Sequence, residues 1–109
     1  MPNAQSAYVV QSKVTRYLLG LTNQDGRGKA IFFLRRGFAL ERWEELAEAL
    51  VRLAQEHEVV RTMDSDEGVK YVVEGSMTTP DGRIAILRTI WMIGHGETAP
   101  RLVTAYPLD

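Results

Sequence analysis

The sequence predicts an α+β fold in which N-terminal helices pack on one face of a four-stranded antiparallel β-meander. Residues 40–57 repeat apolar side chains at helical spacing, which predicts one long amphipathic helix. Four later segments are rich in β-forming residues, and short turns join them. Connections this short imply antiparallel neighbours, because parallel strands need a long crossover.

The 109 residues predict a single domain, 1–109, with one core. The chain has no cysteine, which excludes disulfides, thiolate metal sites and cysteine nucleophiles. Its two histidines, His57 and His95, have no metal-ligand spacing, so neither a metal nor a cofactor is expected. The apolar runs are too short to span a bilayer and the N-terminus has no signal pattern, so we expect a cytoplasmic protein with no membrane partner.

Charge is unevenly distributed, although the net charge is only −1. Residues 1–39 contain six bases and one acid, whereas residues 40–68 contain nine acids and three bases. A basic first third attracts phosphate and an acidic middle repels it. The simpler interpretation is that the basic and acidic segments form two solvent-exposed faces of a nearly neutral protein, with no charged ligand.

Two short helices are predicted before the long one. The first begins at Ser12, which can cap it, and its apolar stripe at helical spacing consists of Val14, Tyr17, Leu18 and Leu21. The second covers residues 29–36 and stops at Gly37, after two arginines that favour the negative end of a helix. The apolar run 31–34 also fits a buried strand, so strand stays the alternative for this segment.

The helix at residues 40–57 is the most regular element. Its apolar residues recur at spacings of three, four and seven from Trp43 to His57, and its charged residues face away from them. The segment has no Gly or Pro, which agrees with a helix. His57 ends the apolar stripe, so we expect it to pack or to cap the helix rather than to take part in chemistry.

Strands are predicted at residues 58–63, 69–77, 83–93 and 101–106. The turn at residues 79–83 suits a three-residue loop with Gly82 in the left-handed conformation. That loop sets the register of the second and third strands, so that Glu74 faces Arg88. Trp91 then lies on the opposite face, against the helices. A slip of one residue would exchange the two faces.

Glu74 and Arg88 are the first candidate catalytic residues. A carboxylate can act as a general base, and a planar guanidinium fits the oxygens of a phosphate. A structural cross-strand salt bridge, worth about 0.2–1 kcal/mol, explains the same pair and is the more common case. His95 lies between two glycines in a turn, and its titration near neutral pH suits a general acid, although most loop histidines have no such role.

Several basic and hydroxyl residues are candidate contacts for a substrate. The segment Gly26–Lys29 resembles an anion-binding loop but lacks the Ser or Thr that ends a P-loop. Arg27 and Lys29 would therefore hold a phosphate at the start of a helix, or simply be solvated. Lys70 is predicted on the same sheet face as Glu74.

The last strand adds two hydroxyl residues to these candidates. Thr104 and Tyr106 lie two residues apart, so the alternation of a strand places them on one face together with Leu102. Tyr106 would contact a substrate at the end of the sheet or seal the edge of the core.

Three motifs together resemble an uncharacterised bacterial family of about this length, whose members occur alone and as terminal domains of larger proteins. The motifs are Gly26–Phe33, Thr79–Arg83 running into Arg88–Trp91, and Pro100–Pro107. The resemblance covers nearly the whole chain and brings no established activity with it.

The order of elements and the closing segment Thr104–Pro107 more loosely resemble the barnase–EndoU–colicin–RelE group of small RNases and toxins. This resemblance implies catalysis from the sheet face away from the helices, by a strand glutamate, a strand arginine and a late histidine. Glu74, Arg88 and His95 match these types in that order. The implied function is a metal-independent endoribonuclease, with RNA as substrate and a cognate antitoxin or other small protein as partner. The alternative is a non-enzymatic interaction module, antitoxin-like or immunity-like, that pairs through an exposed sheet edge.

Overall fold

The computed structural model describes residues 1–22, 24 and 27–108, and it confirms the predicted α+β architecture. Its elements are a π-helix (Lys13–Leu18), α1 (Arg27–Arg35), α2 (Trp43–Glu56), β1 (Val59–Ser65), β2 (Gly68–Thr78), β3 (Ile84–Gly94) and β4 (Arg101–Pro107). Short 3₁₀ turns at Ala4–Ser6 and Leu40–Arg42 complete the described elements. The strands form one antiparallel sheet in chain order, and α2 packs on its inner face. None of the helices in the described residues is long and apolar enough to cross a membrane.

Helix α2 packs on the sheet as its apolar stripe predicts. Leu46, Leu50 and Leu53 are fully buried, and the acidic face is exposed. The helix ends at Glu56 because His57 is already extended. The Nδ1 atom of His57 lies 2.9 Å from the carbonyl oxygen of Leu53, which confirms its expected structural role.

The two earlier helical segments differ from each other in geometry. Residues 29–36 are predicted as a helix with a strand as the alternative, and the structure has a helix there, α1. Its Phe33 side chain is fully buried. The helix stops before Gly37, which has a φ of 98° that favours glycine. The earlier segment is a π-helix, in which the N–H of Leu19 donates to the carbonyl of Val14 at 2.7 Å. Ser12 makes no capping hydrogen bond there, so its predicted cap is wrong.

The hairpin between β2 and β3 has the predicted register. The N–H of Thr79 donates to the carbonyl of Arg83 at 2.8 Å, and Gly82 has a φ of 86°. Asp81 accepts hydrogen bonds from the Thr79 hydroxyl (2.6 Å) and the Arg83 Nε (2.7 Å). These bonds, the one from Thr79 above all, lower the pKa of Asp81 to about 2.

The inner face of the sheet carries a buried polar chain among its apolar side chains. Trp91 is fully buried, and its Nε1–H donates to the Thr89 hydroxyl at 2.8 Å. The same hydroxyl donates to the carbonyl of Val73 at 2.8 Å. The faces are therefore those that the turn predicts, and Glu74 and Arg88 lie on the outer face, away from α2.

A β-bulge in β4 corrects one sequence prediction. Leu102 pairs with Trp91, whereas Tyr106 pairs with Arg88, because one extra residue enters β4 between these positions. Leu102 therefore lies on the inner face and Tyr106 on the outer face, so the prediction that they share a face is wrong. A bulge moves the side chains beyond it to the other face, which simple alternation along the strand does not foresee.

Candidate functional site on the outer sheet face

Three of the predicted site residues lie in one row across three strands. Glu74 on β2 pairs with Arg88 on β3, and Arg88 pairs with Tyr106 on β4. The Nε of Arg88 donates to the Glu74 Oε2 at 2.6 Å. Its Nη1 donates to the Tyr106 hydroxyl at 3.4 Å, and its guanidinium lies 5.8 Å from the Tyr106 ring centroid. The row joins a carboxylate, a guanidinium and a phenol.

This row lies in a shallow cleft with a volume of about 320 Å³. Apolar side chains line much of the cleft, and Arg61 of β1 brings a second guanidinium to it; the apolar lining is Val60, Met63, Val72 and Ile90. The Arg88 side chain is 40% exposed and the Glu74 side chain is 28% exposed, so solvent reaches both. Hydrogen bonds from Arg88 to Tyr106 and to Glu74 raise the pKa of Arg88, which therefore stays charged.

The structure does not bring His95 to this row. His95 is exposed in the turn between β3 and β4, and its N–H donates to the carbonyl of Glu67 at 3.1 Å. His95 lies seven positions along the chain from Arg88, which corresponds to roughly 23 Å at the rise of a β-strand. Lys70 lies on the outer face but four residues along β2 from Glu74, roughly 13 Å away.

Lys29 and Thr104 belong to a second cluster, centred on Tyr17 of the π-helix. The Nζ of Lys29 donates to the Tyr17 hydroxyl at 2.6 Å. Thr104 lies beside the same hydroxyl; its own buried Oγ1 makes no hydrogen bond within standard limits to a described residue. The ammonium groups of Lys29 and Lys13 lie 4.8 Å and 5.1 Å from the Tyr17 ring centroid. Arg27 is exposed at the start of α1, and Gly26 lies outside the described residues.

The charges around Tyr17 change its acidity. Partial burial raises its pKa, but the hydrogen bond from Lys29, the neighbouring Thr104 hydroxyl and the positive charges of Lys29 and Lys13 outweigh that effect, so the pKa of Tyr17 is lowered. Sequence reasoning placed Tyr17 in an apolar stripe and missed this role. The spacing of four between Lys13 and Tyr17 was the available signal, because such residues are neighbours on a helical surface.

One edge of the sheet is incomplete beside α2. Strand β1 pairs with β2 only as far as Val73, so among the described residues no strand neighbours that side of residues 74–78. A cleft of about 290 Å³ adjoins this edge; its walls include Arg52, Leu53 and Glu56 of α2 and Ser76 and Thr78 of β2. An edge of this kind can accept a strand from another chain.

Within the described part of the chain, no three His, Asp or Glu side chains are grouped closely enough to hold a metal ion. The described residues thus present three candidate sites: the outer-face row, the Tyr17 cluster and the open edge of β2.

Comparisons with known proteins identify a family and a fold. A family model described as "Domain of unknown function (DUF6883)" matches residues 1–109. No curated protein matches the chain. Among solved structures, the chain is similar to one in a contact-dependent growth inhibition toxin–immunity protein complex from Klebsiella pneumoniae 342, with a TM-score of 0.78 and 16% identity. The match covers 98% of this chain and 97% of that chain, and at this identity it shows a shared fold.

Proposed function

The chain belongs to the DUF6883 family of domains of unknown function, and from its outer sheet face we propose that it is a metal-independent endoribonuclease of the toxin type. The observation that carries this proposal is the row of Glu74, Arg88 and Tyr106 in one cleft. The fold shared with a chain from a toxin–immunity complex supports the class of protein.

In the proposed reaction, Glu74 is the general base. Its carboxylate takes the proton of an RNA 2′-hydroxyl, whose oxygen attacks the adjacent phosphorus. The O2′–P bond forms and the P–O5′ bond breaks, which leaves a 2′,3′-cyclic phosphate and a 5′-hydroxyl. Because the nucleophile belongs to the substrate, the reaction requires no metal-bound water.

Arg88 holds the phosphate that reacts. Its guanidinium stays protonated and presents several N–H donors in one plane, which suits the negative charge that develops on the phosphoryl oxygens. Before substrate binds, Glu74 occupies the Nε of Arg88. Phosphate oxygens compete for these donors, and the carboxylate is then released towards the 2′-hydroxyl.

Tyr106 supplies the proton that the leaving O5′ requires. Its hydroxyl lies 3.4 Å from the Arg88 Nη1, so a phosphate bound by Arg88 lies within reach of the phenol O–H. His95, which the sequence suggests for this step, remains a prediction that this mechanism does not use. Arg27, Lys29 and Lys70 steer the RNA backbone from outside the reacting centre.

An RNA substrate places the proposed activity in the cytoplasm. A toxin of this type needs a cognate small protein that blocks it in the producing cell, so an antitoxin or immunity protein is the proposed partner.

The second candidate function is a non-enzymatic interaction module. The observation that favours it is the open edge of β2 at residues 74–78, which lies beside the acidic helix α2. A partner strand would add to this edge through backbone hydrogen bonds, and a basic surface on that partner would complement α2.

Induced expression in a bacterial host separates the two functions. We expect wild-type protein to arrest growth and to degrade cellular RNA, and Glu74→Gln to do neither. Glu45→Gln is the matched control, because it removes a carboxylate from another exposed ion pair, with Arg42 at 3.4 Å. Normal growth and intact RNA with well-expressed wild-type protein would favour the interaction module instead.

A further inference from the structure

The cluster around Tyr17 contains more positive charge than the ion pairs among the described residues neutralise. Lys13, Arg16 and Arg101 line a cleft of about 430 Å³ between the π-helix and the start of β4. Lys29 joins them through its hydrogen bond to the Tyr17 hydroxyl. Two of these cations, Lys13 and Lys29, lie beside the Tyr17 ring, and Arg16 and Arg101 line the adjoining cleft.

No carboxylate balances these charges within the described residues. The three ion pairs found there involve Arg42, Arg83 and Arg88, and none of them belongs to the cluster. The ammonium groups of Lys13 and Lys29 lie 5.1 Å and 4.8 Å from the same ring centroid, so both positive charges act on the same small region. The lowered pKa of Tyr17 is a second sign of positive potential at this place. An anion in the cleft would relieve the repulsion.

The cluster is close to the proposed reaction centre along the chain. The Thr104 side chain lies beside Tyr17, and Thr104 is only two residues from Tyr106 on β4, roughly 7 Å along the strand. A strand of nucleic acid held on Arg88 can therefore continue along β4 towards Tyr17. Lys and Arg beside an aromatic ring are typical of surfaces that bind single strands.

We propose that Lys13, Arg16, Lys29 and Arg101 form a phosphate-binding site around Tyr17 that holds a backbone phosphate of a single-stranded nucleic acid. This inference rests on the proposed RNA substrate. It adds a second contact point, away from the reacting phosphate and on the other side of β4 from Glu74. The Tyr17 ring provides a surface on which a neighbouring base can stack.

The test measures binding without cleavage. The probe is a short single-stranded 2′-deoxyoligonucleotide, which lacks the nucleophilic 2′-hydroxyl, and its affinity is measured by fluorescence anisotropy across a range of salt concentrations. For single strands, each phosphate contact contributes about 0.7 to the slope of log K against log salt. The double variant Lys13→Gln, Arg101→Gln should therefore lower that slope by about 1.4 and weaken binding about 25-fold at 0.1 M salt.

Arg42→Gln is the control, because it removes one exposed positive charge, in the turn before α2, that lines neither the cluster nor the clefts described above. We expect it to leave the salt slope unchanged. Inorganic phosphate, titrated into wild type and the double variant, distinguishes a strand from a free anion. Loss of phosphate binding with unchanged oligonucleotide binding would assign the cleft to a free phosphate and overturn the proposal.

Equal oligonucleotide affinity in wild type and the double variant would also overturn it. These outcomes are independent of the proposed catalysis. A wild type that cuts RNA while the double variant binds and cuts normally rejects only the second site. A wild type that binds the oligonucleotide through the cluster but leaves RNA intact rejects only the nuclease.

Discussion

Replacement of Glu74 by Gln distinguishes a catalytic carboxylate from a structural one, because it removes the charge and keeps the shape. The Glu74–Arg88 pair is short, at 2.6 Å, but its side chains are 28% and 40% exposed, so solvent screens it. Cross-strand pairs of this kind contribute about 0.2–1 kcal/mol. For a domain near this size, 1 kcal/mol corresponds to about 4–8 °C, so the Tm should fall by no more than about 8 °C.

The expected effect on catalysis is much larger. General acid–base groups contribute about 100-fold to 10,000-fold in rate, so cleavage by Glu74→Gln should fall at least about 100-fold. That loss corresponds to about 2.7 kcal/mol of activation free energy, well above the cost in stability. Arg88→Lys should behave in the same way, because lysine keeps the charge but loses the planar set of donors.

The assay compares initial rates of RNA cleavage with thermal unfolding followed by circular dichroism, for wild type, Glu74→Gln and the control Glu45→Gln. The control should match wild type in rate, although it also loses an exposed ion pair. Full cleavage activity in Glu74→Gln, together with a clear loss of Tm, would show that the pair is structural and would refute the mechanism.

Three further predictions follow from other parts of the structure. His95→Gln should cleave RNA at the wild-type rate, because His95 lies just beyond β3 and roughly 23 Å along the chain from Arg88; a loss of 100-fold or more would show that His95 takes part in the reaction. The pKa of Asp81 is lowered from 3.8 to about 2, so its stabilisation of the hairpin is complete above about pH 4 and is lost as the pH falls through about 2; Asp81→Asn should flatten this part of a plot of Tm against pH, and an unchanged plot would contradict the assignment. Thr89→Val leaves the buried Trp91 N–H without its acceptor, which should cost about 1–3 kcal/mol in urea unfolding, and an unaltered midpoint would show that the hydrogen bond is dispensable.

The register of the central hairpin could be predicted because local chemistry sets it. Gly82 takes the left-handed conformation and Asp81 binds its neighbours, so the turn determines which residues oppose each other in β2 and β3. The pairing of Glu74 with Arg88 follows by alternation alone. Helix α2 could be predicted equally well, because its apolar stripe shows which face packs on the sheet.

The features that the sequence did not reveal depend on contacts between distant segments. The bulge in β4 moves Tyr106 to the outer face, and nothing local to that strand marks the extra residue. The approach of Lys29 to Tyr17 depends on how α1 packs against the π-helix. The distance between His95 and Arg88, by contrast, already follows from the predicted strand at residues 83–93, which the structure extends to Gly94.

The central claim is that this chain cleaves RNA by itself, and one incubation tests it most directly. Purified wild-type protein, free of any partner, is mixed with total RNA in excess EDTA at several pH values, and the new ends are identified. The mechanism predicts cleavage that resists EDTA, a bell-shaped dependence on pH, and products that carry 2′,3′-cyclic phosphate and 5′-hydroxyl ends. RNA that stays intact with folded wild-type protein would contradict the claim.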